Sequence, residues 1–150
     1  MILDKKELQN LCAVVLDQKI NRCQDILASI DESAQDDTKS SAGDKFETSR
    51  EMLKQEAEKI NGQLSILFHQ RQILSKLDTK ATTDIIRHGS LTKTDKGTFY
   101  ISISLGKVRY QEDLVYAKSD ESPMALTLVD KRTGDKVVVN TRSITILDVC

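Results

Sequence analysis

Six acids crowd residues 31–47: Asp31, Glu32, Asp36, Asp37, Asp44 and Glu47, against only Lys39 and Lys45. Carboxylates at this density suit a hard divalent cation. Mg²⁺ takes oxygen ligands and keeps several of its waters, so one or two carboxylates recruit it at a phosphate site. Two such metals stabilise the attacking and leaving oxygens of a displacement. Asp44 and Glu47 stand three residues apart and flank Phe46. A second reading of the same acids is a solvated loop, in which Asp36, Asp37 and Asp44 serve helix N-termini. Phe46 in turn is either the last apolar rung of a helical seam or a contact residue.

The segments on either side must position these acids. Residues 4–33 place Leu8, Leu11, Cys12, Val15, Leu16, Ile20, Cys23, Ile26, Leu27 and Ile30 at spacings of three and four, one face of a helix. Asp4 is a candidate N-cap with Glu7 three residues on, a capping-box pattern. In residues 45–77, Phe46, Leu53, Ile60, Leu67 and Leu74 fall seven apart, with Ala57 and Leu64 in the intermediate seam and Arg71 interrupting it. A sustained heptad predicts a coiled coil. Gly62 is a local weakness. Two such helices joined by a short segment predict an antiparallel hairpin over 1–78, its turn near 34–47, with arms on the order of 45 Å long at about 1.5 Å per residue.

Beyond Thr79 the period shortens to two. Phe99, Ile101, Ile103 and Leu105 alternate with Tyr100, Ser102 and Ser104, and Val137, Val139, Ile144 and Ile146 continue the pattern. This predicts strands with one face buried. Turns are expected at Asp95-Lys96-Gly97, Leu105-Gly106-Lys107 and Thr133-Gly134-Asp135. Ser122 as N-cap with Pro123 at the first helical position predicts one short helix. The expected organisation is α+β, a helical hairpin linked through 78–84 to a compact sheet domain over 84–150.

Composition narrows the function. The net charge is −1 over 150 residues, so no overall basic excess draws the chain to nucleic acid. Lys107 and Arg109 make a local basic spot, read first as edge-strand protection. No apolar run spans a bilayer and the start lacks a signal-peptide core, so a cytoplasmic location is expected. Cys12, Cys23 and Cys150 are too sparse for a disulfide framework. His88 has no partner that suggests catalysis. No nucleotide loop or nucleophile motif is present. Aromatics are 4% with no Trp, which disfavours a peptidyl-prolyl isomerase pocket.

An ordered set of residues carries a resemblance: Asp37-Thr38-Lys39, Ala42, Phe46 and Arg50-Glu51 around the turn, then Gly89-Ser90-Leu91, Ser122-Pro123 and Lys131-Arg132-Thr133-Gly134-Asp135. Together they resemble the GreA/GreB family of bacterial transcript-cleavage elongation factors, over nearly the whole chain. The resemblance implies an FKBP-like C-terminal domain without isomerase function, docked at the rim of the RNA polymerase secondary channel. Ser122, Pro123 and Phe46 are the partner-contacting residues it suggests. It implies a hairpin whose acids help hold a second Mg²⁺ at the polymerase active centre, so that the polymerase hydrolyses backtracked RNA. The factor would be a monomeric accessory rather than an enzyme. It would hold no stable cofactor and meet nascent RNA and DNA only inside the elongation complex. One departure matters. The family pattern puts two acids three apart, and the second position here is Ser40, with Gly43-Asp44 inserted before Phe46. Asp44 and Glu47 could replace that pair, with Asp37 as the third candidate. The alternatives are a channel-occupying regulator without cleavage activity, or a generic coiled-coil adaptor.

Overall fold

A computed structural model describes residues 3–38 and 43–150, the side chains of 37–46 excepted. Two long helices come first, α1 (Lys5–Thr38) and α2 (Gly43–Lys76). Six strands and one short helix follow: β1 (Leu91–Thr94), β2 (Gly97–Ser102), β3 (Gly106–Tyr110), β4 (Asp113–Ser119), α3 (Pro123–Leu128), β5 (Lys136–Val139) and β6 (Arg142–Val149). The expected α+β architecture, coiled-coil helices followed by a small sheet domain with one short helix, is the one observed. The chain divides into two compact units, residues 15–69, and residues 1–14 with 70–150.

In the helical unit the seam is made by Ile20 and Cys23 of α1 against Ile60 and Leu64 of α2, flanked by Leu27 and Leu67. These are the seam positions expected of α2. On α1 the buried stripe runs through Cys23 and leaves Ile26 36% exposed. One apolar stripe at a period of 3.6 cannot bury every residue of a face that wide. The helices run in opposite directions: Gln9 meets Leu74 within the larger unit, and Cys23 meets Gln63 within the helical one. Gly62 does not interrupt α2.

The sheet unit holds the order β3-β4-β2-β1-β6-β5. Neighbours pair antiparallel except β2 and β4, which are parallel. A parallel pair needs a crossover. Here β3 supplies it, leaving β2 and pairing back on the outer side of β4. The core on one face gathers Ile86, Phe99, Ile101, Ala125, Leu128, Val137, Ile144 and Ile146.

The half-buried reading of the second strand needs correction. Phe99 and Ile101 face the core as expected, yet Tyr100 and Ser102 are each only 1% exposed. β2 is an interior strand, and its second face is covered as well. Cys12 of α1 lies close enough to Tyr100 to act on its phenol, which burial foremost and the Cys12 thiol next push above its ordinary pKa. Burial also raises the Cys12 thiol to about 11, so it stays protonated at neutral pH.

Polar ties fix the first turns of α1 in this unit. Asp4 Oδ1 accepts from the backbone N–H groups of Lys6 (2.8 Å) and Glu7 (3.3 Å), the expected N-cap. Glu7 does not complete the capping box, because its carboxylate accepts from the Tyr110 hydroxyl of β3. Lys5 Nζ donates to the carbonyl of Ala81 at 2.6 Å. Gln9 Nε2 donates to the carbonyls of Leu74 (2.7 Å) and Leu77 (3.2 Å), caring for the C-terminal end of α2.

Candidate functional site

The acids near the α1–α2 turn divide by the helix end they occupy. Asp36 lies in the last turn of α1 and is exposed, with Asp31 and Glu32 exposed one turn earlier. The backbone of Asp37 belongs to the same last turn, and that turn contains no basic residue. A helix C-terminus carries partial negative charge, and acids there are unfavourable. The N-terminal role considered for Asp36 and Asp37 therefore does not hold, since both occupy the opposite end of a helix. Asp44 and Glu47 sit in the first turns of α2, which begins at Gly43, where the macrodipole favours them. Glu47 is exposed. The side chains of Asp37, Asp44 and Phe46, and the whole of Ser40 and Ala42, lie outside the described residues.

Packing thins toward this end of the helical unit. Ile30, Ala34, Leu53 and Ala57 are only half-buried, and a groove of about 510 Å³ opens between them. Asp31, Glu47 and Glu51 stand on its rim beside Arg50 and Lys54. Small alanines on both helices leave this space where the seam has no larger rung. Among the described residues no group of three or more His, Cys, Asp or Glu could by itself hold a metal ion.

The second candidate region is α3. Ser122 is its N-cap: Oγ accepts from the N–H of Ala125 at 3.2 Å and donates to the carbonyl of Ser119 at 2.8 Å. Its hydroxyl is thus engaged in both directions, and its role is to start the helix. Pro123 is exposed. Ala125 and Leu128 turn inward, which leaves Leu126, three residues after Pro123, 67% exposed. Pro123 and Leu126 make an apolar knob, and Leu126 is the residue that sequence reasoning missed. Its signal was available, because a six-residue helix that buries positions 125 and 128 must turn 123 and 126 outward.

Two smaller features anchor the surroundings. His88 Nε2 lies 3.0 Å from the carbonyl of Ser102, and Nδ1 lies 3.8 Å from Asp120 Oδ2, so this imidazole ties a turn to the loop before α3. Gly89 takes φ +96, which lets the turn into β1 close.

No protein-family model and no curated protein matches the chain. Solved structures similar to it include two of one protein. One is the crystal structure of GreA factor homolog 1 (Gfh1) of Thermus thermophilus, with 22% identity and a TM-score of 0.36, covering 92% of this chain and 94% of that one. The other is a structure of the transcription factor Gfh1, with 21% identity and a TM-score of 0.37, covering 93% of each chain. Both likenesses are too distant to carry a function.

Proposed function

We propose that the chain is an accessory transcription factor of the GreA/GreB kind, acting in the cytoplasm. It binds RNA polymerase at the secondary channel and presents its inter-helix acids to the polymerase's own active centre. The observation that supports this most is the run of acids at the C-terminal end of α1, where helix electrostatics opposes them. Charge held against its local stability is a common mark of a working surface. In this reading Asp37, Asp44 and Glu47 help to hold a Mg²⁺ shared with the polymerase and the RNA phosphate. The polymerase then hydrolyses backtracked RNA. The factor supplies carboxylates and no complete catalytic set of its own. Pro123 and Leu126 on α3 contact the polymerase, and Ser122 positions them.

A second reading has its own support. Ser40 stands where the family pattern has its second acid. A factor with a broken pair can occupy the channel and regulate transcription without stimulating cleavage.

Stalled elongation complexes separate the two. Cleavage of the 3′ end of labelled RNA on adding the factor and Mg²⁺ supports the first reading, and its loss in Asp37→Asn or in Asp44→Ala/Glu47→Ala identifies the acids. If transcription is inhibited without cleavage, the second reading holds. If the chain does not co-purify with polymerase, both fail and a generic coiled-coil adaptor remains. No described helix is long and apolar enough to cross a membrane.

A further inference from the structure

One half of the core-bearing sheet face carries charge instead of core. Lys107 pairs directly with Tyr116, and Arg109 with Leu114, so these four side chains share a face. Lys118 follows Tyr116 by two residues on β4 and points the same way. Lys107 and Arg109 are exposed, while Tyr116 and Lys118 are half-buried. Phe99 stacks beneath Tyr116 with ring centroids 5.5 Å apart. No carboxylate shares this face of β3 and β4, for Asp113 pairs with Tyr110 and alternates to the opposite side. None of the three cations forms an ion pair with a described residue.

Edge protection accounts for part of this. β3 is an edge strand, and Lys107 and Arg109 discourage another strand from pairing with it. Lys118 extends the set by one position: it pairs with Ile101 of β2 and lies just beyond the β3 register, which stops at Ala117. Edge protection does not require three cations, none in an ion pair with a described residue, to gather around one partly open aromatic ring.

We infer that this face of β3 and β4 binds the phosphate backbone of single-stranded nucleic acid, with Tyr116 offering its ring to a base. Lys107 and Arg109 lie about 6.8 Å apart along the strand, at roughly 3.4 Å per residue, so they can meet successive backbone phosphates. Lys107 Nζ lies 6.0 Å from the Tyr116 centroid, at the limit of a cation–π contact, so it can leave the ring for a phosphate. An unpaired base can then stack there, as bases in single strands do on aromatic platforms. A protein partner fits less well, because Lys is depleted from the cores of protein interfaces and the apolar area here is small. Leu114, the patch's most exposed apolar residue, is only 37% exposed.

The test uses the full chain without polymerase, so it is independent of the function proposed above. Fluorescence anisotropy would follow a labelled oligouridylate of about 12 nucleotides, within the usual range of site sizes. Neutralising three phosphates of a single strand predicts binding weakened roughly 20-fold between about 50 and 200 mM salt. In Lys107→Gln/Arg109→Gln one cation remains, and that ratio should fall to about threefold. Lys118→Gln should give an intermediate ratio, and Lys131→Gln/Arg132→Gln should leave it unchanged. Circular dichroism would confirm that each variant folds. The inference is overturned by no binding at low salt, by equal losses in the control variant, by equal binding of duplex RNA, or by binding that poly-glutamate matches.

Discussion

The two ends of α1 obey opposite rules. At the first turn, Asp4 caps two backbone N–H groups and Glu7 adds favourable charge near the helix start. Leu8 and Cys12 beyond them are 0% exposed. At the last turn, Asp36 and Asp37 stand against the macrodipole, that turn holds no basic residue, and the nearby seam is only half-buried. The first end holds the structure together. The second gives up some stability and keeps exposed carboxylates. Packing and exposed charge thus fall at opposite ends of one helix, and the proposed function uses the second.

The strongest way to break this contrast is to remove packing at the first end. Leu8→Ala should cost about 3 kcal/mol, since a fully buried leucine leaves a cavity behind. Urea denaturation measures it, and a cost near that of an exposed site would mean that the first end is not the anchor. Alkaline pH should weaken the same end. The folded protein holds Cys12 protonated up to about 11, against 9.0 for an unperturbed thiol. Its contribution is therefore complete below the unfolded value and is lost as the pH rises through the folded one. Cys12→Val should flatten part of that alkaline slope, and an unchanged slope would remove Cys12 from the explanation.

Losing a cap comes next in size. Asp4→Ala should cost about 1 kcal/mol, read as a lower urea midpoint at unchanged slope. The smallest effect has the opposite sign. Asp36→Lys should stabilise by roughly 0.3–1 kcal/mol at low salt and less at high salt. If it destabilises instead, the last turn is not the electrostatically disfavoured place described here. If it stabilises while the effect on stalled polymerase falls, the contrast sharpens into a trade between stability and function.

Local chemistry made much of this legible in advance. The seven-residue repeat from Leu53 to Leu74 marked the seam of α2, and Ser122-Pro123 marked the start of α3. Glycines marked the turns at Gly97, Gly106 and Gly134, all of which adopt positive φ. The acids were visible as a cluster, but whether each belonged to a helix start or a helix end was not. That distinction depends on how far α1 runs, and Asp36 and Asp37 read equally well as caps of a following helix until α1 is seen to continue through them to Thr38.

The sequence by itself determined the helices, the caps at Asp4 and Ser122, the turns and the charge of the inter-helix segment, because each depends on residues within a few positions of one another. Only the tertiary structure decided that Tyr100 and Ser102 are buried, that β2 and β4 run parallel, and that Lys118 joins Lys107 and Arg109 around Tyr116. It also decided that Thr92, 0% exposed, leaves its hydroxyl without a hydrogen-bond partner among the described residues. These depend on which strands meet across long separations in the chain. Alternation along one strand tells which side chains share a face, but not what covers it.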